Sequence, residues 1–266
     1  MSTAAAPKIS LPDPDLGELV MPSTCPVCDS SYVAYVRHTP TRRTRRMVPL
    51  FTCLGCKSFF NPTGYKEDEE QLKRDLEFLK GVVDRNVKAS NDMLDKLDEL
   101  GVKPRRILEI GGGTGTLLDV ARKRGIDGIG YDVNPLACAW GRETYDLDLR
   151  SELWNAGTDC GSFDLFVCIS VFEHIDTPRP LFAQIAERCK REKAWAFISV
   201  PYLAENRWHF LDDPDPYLKG TPFFDQDVHV LHFSHGGFTT MAEQHGATSV
   251  RVVPTGLWTG HLMKFH

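Results

Sequence analysis

The sequence predicts an α/β protein in which a mostly parallel sheet is covered by helices on both faces, preceded by a small cysteine-rich unit. From residue 105 onward, short apolar segments alternate with helix-like segments, which is typical of βαβ units because parallel strands need helical crossovers. Before residue 65, four cysteines form two CxxC pairs, Cys25-Pro-Val-Cys28 and Cys53-Leu-Gly-Cys56. That pattern is typical of a small metal knuckle.

Four regions follow one another along the 266 residues. Residues 1–20 are rich in Ala, Pro and Asp, lack periodicity and are predicted to be a disordered tail. Residues 21–64 form the zinc-ribbon-like cysteine unit. Residues 65–103 carry Leu and Val at steps of three or four, which predicts a helical connector packed on the next domain or, alternatively, a lid over the active site. Residues 104–266 form the α/β domain, with an insertion at about 201–235.

The α/β domain begins with the clearest alternation of elements. The segments predicted as strands share short apolar runs: residues 106–110, 128–132, 163–170 and 194–200, followed after the insertion by 249–253 and 257–264. The segments predicted as helices are residues 114–124, a helix from Pro135, residues 180–189 and one helix after the insertion. The insertion is rich in Pro, Asp and aromatic residues and is predicted to be irregular.

Composition narrows the class of protein. The apolar share of 42% and the charged share of 25% are ordinary for a globular protein. The net charge of -5 argues against a broadly basic surface for nucleic acid. We find no signal-peptide pattern and no apolar run long enough to cross a bilayer, so we expect a cytoplasmic protein without a membrane partner.

A glycine-rich turn follows the first strand of the α/β domain, in the segment Leu108-Glu109-Ile110-Gly111-Gly112-Gly113-Thr114-Gly115. The order strand, turn, helix places bare backbone amides and a helix N-terminus at the carboxyl end of the strand. A nicotinamide fingerprint beginning at Gly111 would need glycine at position 116, which is Thr116. A dinucleotide dehydrogenase is therefore disfavoured.

This segment resembles the first motif of class I S-adenosylmethionine-dependent methyltransferases, which have a Rossmann-like sheet. Asp132, in Gly130-Tyr131-Asp132-Val133-Asn134-Pro135, stands where that family has an acid for the two ribose hydroxyls. The resemblance places Val133 on the adenine. It implies that S-adenosylmethionine is held by Glu109, Gly111, Gly112, Gly113, Thr114, Gly115, Tyr131, Asp132 and Val133.

A third segment supports the resemblance. Ser162-Phe163-Asp164-Leu165 running into Ser170-Val171-Phe172-Glu173-His174-Ile175 is similar to the family's fourth strand and the turn beside the methyl group. The resemblance therefore adds Ser170 to the cofactor residues, and family position adds an adenine contact near Leu153. It covers residues 105 to about 200 well and the rest of the chain loosely.

The two CxxC pairs predict a closed tetrahedral site of four thiolates, Cys25, Cys28, Cys53 and Cys56, with a structural role. Zinc is favoured, and iron in a rubredoxin-like site is the alternative. The segment FTCLGCKSFFNP at residues 51–62 also resembles the zinc ribbon of bacterial sugar and natural-product methyltransferases. The loop between the pairs carries Arg42, Arg43, Arg45 and Arg46, either as a solvated loop or as a grip on phosphate.

Seven of the nine histidines follow residue 200, many of them in the insertion. Because ligands bind beyond the carboxyl ends of strands, we expect His229 or His232 to act as the general base. The other candidates for catalysis are His174, His209 and Glu173. The pair Glu173-His174 also resembles a Glu-x-x-Glu-His metal pattern, but Ser170 replaces the first Glu and removes one ligand.

These features predict a methyltransferase that methylates an oxygen atom of a small molecule or a (nucleotide) sugar. The first alternative is an RNA methyltransferase, since one ribosomal RNA group also joins a cysteine knuckle to this fold. The acidic net charge counts against it. The second alternative is a partner subunit that binds the donor without catalysis.

Overall fold

The computed structural model describes residues 8–10, 18–41, 46–62, 68–203 and 228–266. The strands, in chain order, are β1 (Lys8–Ser10), β2 (Glu18–Val20), β3 (Val33–Pro40), β4 (Met47–Cys53), β5 (Phe59–Phe60), β6 (Arg106–Ile110), β7 (Asp127–Tyr131), β8 (Leu149–Arg150), β9 (Leu165–Ile169), β10 (Trp195–Ser199), β11 (Tyr202–Leu203), β12 (Leu231–Ser234), β13 (Ala247–Thr255) and β14 (Trp258–Phe265). The helices are α1 (Glu69–Gly81), α2 (Val83–Glu99), α3 (Thr116–Lys123), α4 (Pro135–Tyr145), α5 (Pro178–Glu192) and α6 (His235–Gln244).

The described chain divides into two compact units. The larger contains residues 68–171, 180–200 and 242–266, and the smaller contains the described residues up to 62 together with 172–179, 201–203 and 228–241. The division does not follow the sequence order, because both units draw on the middle and the end of the chain.

The larger unit is built on a seven-stranded sheet with the order β13-β14-β10-β9-β6-β7-β8. The five strands from β10 to β8 are parallel, and β14 and β13 join antiparallel at one edge. The chain runs from β6 outward through β7 and β8, then returns to place β9 on the other side of β6. This reversal is the topological switch point, where α/β sheets bind their ligands.

Apolar side chains fill both faces of this sheet. The central strands β6 and β9 are almost wholly buried, as expected for parallel strands covered by helices. Helix α2 contributes Met93, Leu94 and Leu97 to the same core as Leu117 of α3. The predicted α/β class, with a mostly parallel sheet and helices packed on it, is confirmed.

The smaller unit contains a five-stranded sheet with the order β11-β12-β5-β4-β3. Strand β12 pairs antiparallel with β5, so that Leu231 lies opposite Phe60. Stacked rings of Phe51 and Phe60 pack on this sheet. Residues 201–235 were predicted to be irregular, and their described parts instead supply β11 and β12. Strand β12 pairs with β5 and β11 pairs with β12, and this pairing satisfies backbone groups that a surface loop would leave to water.

The predicted tail also contains regular structure, since β1 and β2 pair antiparallel with Lys8 opposite Val20. In the stretches described by the structure, no helix is both long enough and apolar enough to cross a membrane.

Candidate functional site

The glycine-rich turn after β6 depends on backbone conformations that favour glycine. Gly111, Gly113 and Gly115 have φ values of 71°, 53° and 76°. The amides of Gly111 and Gly112 donate to the carbonyl oxygen of Tyr131 at 2.8 and 3.2 Å. The turn is thereby tied to the end of the neighbouring strand β7.

The turn is also closely packed from several sides. A Cβ atom at position 111 would lie 2.1 Å from Cγ2 of Val171, and one at position 141 in α4 would lie 2.4 Å from the carbonyl oxygen of Thr114. Neither position has room for a side chain. The glycines therefore allow neighbouring atoms to approach the backbone closely and allow positive φ values. A turn that surrounds a ligand needs both properties.

Glu109 lies beneath this turn as a buried carboxylic acid. Its Oε2 would lie 3.2 Å from a Cβ at position 112, and it makes no hydrogen bond within the described residues. Burial, and secondly the charge of Asp132, raise the pKa of Glu109 to about 8. A ligand group in the turn that is cationic or that donates a hydrogen bond could bind to Oε2 of Glu109.

Asp132 follows β7 and faces the turn. Its Oδ2 accepts from the Gly113 amide at 2.8 Å and its Oδ1 from the Asn134 amide at 2.8 Å. Burial raises the pKa of Asp132, whereas these two amides lower it. A carboxylate has about four acceptor positions, so both oxygens can still accept from a ligand's hydroxyls.

The remaining predicted cofactor residues take different positions. Val133 is 53% exposed and Leu153 is 79% exposed, which is unusual for large apolar side chains. Tyr131 is buried, and its hydroxyl accepts from Arg150 at 3.1 Å, so only its backbone faces the turn. The Thr114 hydroxyl is buried 3.2 Å from that of Thr116.

Ser170 ends β9 in a left-handed conformation with φ of 56°. Its amide donates to the carbonyl oxygen of Ser199 at 2.9 Å, and its side chain is exposed. Such a conformation is costly for a residue other than glycine and is concentrated at functional sites.

Helix α1 lies against the turn, a contact that the sequence did not identify. A Cβ at Gly113 would lie 2.9 Å from Cδ1 of Leu79. The Asn134 side chain donates to the carbonyl oxygen of Leu72 at 3.0 Å, and the charge of Asp75 acts on Asp132. Amphipathic periodicity could have suggested a packed helix but not its partner.

The four cysteines of the two CxxC pairs lie together and are buried. Their sulfurs are all within 4.8 Å of one another, with 3.7 Å between Cys25 and Cys56 and 3.6 Å between Cys28 and Cys53. Zinc–thiolate bonds of about 2.3 Å in a tetrahedron place sulfurs about 3.8 Å apart. The donor set and spacing therefore fit a tetrahedral metal ion.

The backbone around the cysteines is arranged in two similar turns. Asp29 and Lys57, which follow the two pairs, have φ values of 62° and 64°. Their amides donate to the carbonyl oxygens of the first cysteine in each pair, at 2.9 Å to Cys25 and 2.8 Å to Cys53. Two equivalent turns thus present two sulfurs each.

The thiols influence one another strongly. The hydrogen bond between Cys25 and Cys56 raises the pKa of the Cys25 thiol and lowers that of Cys56 to about 5. Burial raises the pKa of Cys28 to about 12. A bound metal ion would hold all four sulfurs as thiolates.

Residues from the region after 230 complete the cysteine site. Ser234 donates from its hydroxyl to the carbonyl oxygen of Cys56 and accepts from the amide of Gly237 at 2.8 Å. A Cβ at Gly237 would lie 2.5 Å from Oγ of Ser58 and 3.2 Å from Sγ of Cys56. No motif in the sequence points to this contribution.

Of the predicted catalytic residues, three lie together and one lies apart from them. Glu173, His174 and His229 lie together, with one ligand atom of each within 4.8 Å of the others. His232 is instead buried inside β12, opposite Phe59 in the sheet. His209 lies outside the described residues, as do Arg42, Arg43 and Arg45 of the arginine-rich loop, whereas Arg46 is exposed.

Fold and site together define an α/β protein with a nucleotide-type glycine turn and a carboxylate at the end of the next strand. A model of the methyltransferase domain family matches residues 84–250, which is more than half of the chain. The chain therefore belongs to the methyltransferase domain family. No curated protein matches this sequence.

Solved structures of methyltransferases share the fold. Human N-acetylserotonin methyltransferase in complex with SAM is 16% identical, with a TM-score of 0.58 over 74% of this chain and 57% of that one. An O-methyltransferase family protein from Burkholderia thailandensis is 17% identical, with a TM-score of 0.53 over 74% and 63%. The chain thus spans less than two thirds of the length of these two proteins.

A third similar structure is the plantazolicin methyltransferase BpumL in complex with a monoazolic desmethylPZN analog and SAH. It is 12% identical, with a TM-score of 0.53 over 75% of this chain and 91% of that one. At these identities the likeness is one of fold.

Proposed function

We propose that this protein transfers the methyl group of S-adenosylmethionine to an oxygen atom of a small molecule or a nucleotide sugar. The observation that carries the proposal is the pairing of the glycine turn with Asp132 at the carboxyl ends of β6 and β7. Both lie beside the switch point of the sheet, where such folds bind nucleotides. Family membership supports the same activity.

The cofactor residues have distinct tasks in this proposal. Asp132 accepts hydrogen bonds from the two ribose hydroxyls, and the exposed side chains of Val133 and Leu153 cover the adenine. The amides of the turn and the buried acid Glu109 face the amino-acid part of the donor. When bound, the sulfonium supplies an activated methyl group.

Transfer to an oxygen needs removal of a proton from the acceptor, because a protonated hydroxyl is a poor nucleophile. Glu173, His174 and His229 are the grouped proton acceptors of the smaller unit. Only Val171 and Phe172 separate Glu173 from Ser170 in the chain. The Burkholderia protein of the same fold is named an O-methyltransferase family protein, which agrees with oxygen as the acceptor atom.

We propose a structural zinc ion at Cys25, Cys28, Cys53 and Cys56. All four positions of a tetrahedral ion would be occupied by protein sulfurs, which leaves none for a substrate. The ion would therefore stabilise the smaller unit and take no part in methyl transfer.

The activity is tested by incubating the protein with methyl-labelled S-adenosylmethionine and separate small-molecule and RNA fractions of a cell extract. We expect label in the small-molecule fraction, with mass spectrometry locating the methyl group on oxygen. Label confined to RNA would overturn the proposed acceptor class.

The donor site is tested in the same protein by Asp132→Ala. Loss of the acceptor for two hydroxyls costs about 2 kcal/mol, so the affinity for S-adenosylhomocysteine in calorimetry should fall at least about tenfold. Asp148→Ala is the matched control, since Asp148 pairs with Arg150 at 3.2 Å and should leave the affinity unchanged. Equal affinity in Asp132→Ala and the unaltered protein would remove this residue from the donor site.

A further inference from the structure

We infer that Glu173, His174 and His229 form a second metal site, which binds a divalent transition-metal ion through one carboxylate and two imidazoles. The three side chains offer ligand atoms within 4.8 Å of one another. Glu173 and His174 are neighbours in sequence, and His229 approaches from a segment more than fifty residues away. A sequence motif limited to residues 170–174 could therefore not reveal His229 as the third ligand.

The backbone holds these ligands from two sides. Glu173 and His174 lie on a single 3-10 turn, Phe172–His174. The Val230 amide donates to the carbonyl oxygen of Glu173 at 2.8 Å, which fixes the segment carrying His229 beside this turn. The site is thus assembled by a backbone contact that does not depend on a ligand.

The orientation of His174 is that of a metal ligand. Its Nδ1 lies 2.8 Å from the carbonyl oxygen of Val228 and therefore carries the proton that it donates. Metal-binding histidines are commonly oriented in this way, by a hydrogen bond from the nitrogen that does not bind the ion. Nε2 is then the nitrogen that offers a lone pair.

The burial and the ring geometry of the cluster suit a bound cation. The Glu173 side chain is only 1% exposed, and both of its carboxylate oxygens are buried. The His174 and His229 rings lie 4.9 Å apart at an angle of 68°, which lets two nitrogens converge on one point.

The ligand set indicates which ions would bind. Two imidazoles with one carboxylate suit Fe²⁺, Mn²⁺, Co²⁺ or Zn²⁺, whereas Mg²⁺ and Ca²⁺ prefer oxygen ligands alone. Three protein ligands leave coordination positions open, unlike the four-cysteine site. Water or an oxygen of the acceptor would take them. With the ion bound, the three side chains would not take the acceptor's proton themselves, and the ion would instead lower the pKa of the bound oxygen. This last role, but not metal binding, rests on the proposed function.

The test measures metal directly, with the full chain and neither donor nor acceptor present. Purified protein, with the cysteine site already occupied, is titrated with Co²⁺ and followed by visible absorption and by elemental analysis after gel filtration. We expect about one further equivalent of Co²⁺ per chain, with ligand-field bands but no new thiolate-to-cobalt charge-transfer band, since the added ligands are N and O.

Variants assign the ligands. Glu173→Gln and His229→Gln should each weaken Co²⁺ binding at least about tenfold while leaving the cysteine-bound metal unchanged. His174→Gln should do the same, and His266→Gln is the matched control because that histidine is exposed. Circular dichroism and retained affinity for S-adenosylhomocysteine identify the variants that fold.

No further Co²⁺ equivalent in the unaltered protein would overturn the site, and so would equal binding by folded Glu173→Gln and His229→Gln. If a variant fails to fold, the unaltered protein still decides the question. In that protein a new thiolate band would place the ion at cysteines, and bands of nitrogen and oxygen ligands would support the histidine site. Failure of methyl transfer with intact metal binding would instead count against the proposed function.

Discussion

At the scale of single residues, Glu109 shows how a motif position acquires unusual chemistry. The sequence marks it only as the acid before the glycine turn. Its pKa of about 8 arises because the folded chain buries the carboxyl group next to Asp132. The acid is therefore largely protonated at neutral pH in the absence of ligand, and a donor cation beside it would favour ionisation.

Glu109→Gln should change the pH dependence of stability. Between the ordinary pKa of 4.5 and the folded value of about 8, the folded protein keeps a proton that the unfolded chain has released, so stability falls as pH rises through this range. The glutamine variant lacks this loss, which amounts to at most about 1.4 kcal/mol per pH unit.

The measurement is urea unfolding of both proteins from pH 5 to pH 8, without donor. We expect the variant to gain stability relative to the unaltered protein steadily across this range. Glu152→Gln, an exposed acid, serves as the control. Parallel pH curves for Glu109→Gln and the unaltered protein would show that the carboxyl group ionises normally.

At the scale of elements, α1 is the piece whose role periodicity could not assign. Its leucines predict an amphipathic helix in either of two roles, connector or lid. In the structure, α2 packs into the core, whereas Leu79 of α1 lies on the glycine turn. Apolar residues at steps of three or four positions give a helix an apolar face, but this spacing does not identify the surface that the face covers.

Leu79→Ala should weaken donor binding more than it weakens the fold. The truncation leaves the glycine turn uncovered on one side, so we expect the affinity for S-adenosylhomocysteine to fall by about threefold to tenfold in calorimetry. Because Leu79 is only half-buried, the loss in the free energy of unfolding should stay near about 1 kcal/mol.

Glu77→Ala is the control on the same helix, since Glu77 is exposed and its ion pair with Lys80 is worth little. It should leave donor affinity unchanged. Equal donor affinity in Leu79→Ala and Glu77→Ala would mean that α1 has no part in holding the donor.

At the scale of the whole molecule, the cysteine unit is not a contiguous stretch of sequence. Strand β5 pairs with β12, and Ser234 contacts the backbone of Cys56. The four cysteines thus lie beside a sheet whose strands come from opposite ends of the chain. If they hold the proposed zinc ion, its binding should be coupled to the folding of this sheet.

Changing Cys25 and Cys28 together to Ser should abolish metal binding at this site, as measured by elemental analysis. Hydrogen exchange should then accelerate in β4, β5 and β12 while β6, β9 and β10 keep their protection. Cys160→Ser, a buried cysteine of the larger unit, should retain the metal. Retained metal in the double variant would place the ion elsewhere.

The parallel sheet, the glycine turn with Asp132 after the next strand, and the grouping of four cysteines in two CxxC pairs could all be predicted from the sequence alone. These features depend on local periodicity and on residues at short fixed spacings, and both can be recognised in the sequence. Strands β6, β7, β9 and β10 lie where apolar runs predict them to within about two residues.

The contacts between residues far apart in the sequence became visible only in the folded chain. The fold placed Leu79 on the turn, buried His232 within β12, and brought His229 to Glu173 and His174. Contacts of this kind follow from which segments pair and pack, and they leave no spacing in the sequence. Long-range packing depends on the burial and hydrogen bonding of the whole chain, and each local segment contributes only a part of these.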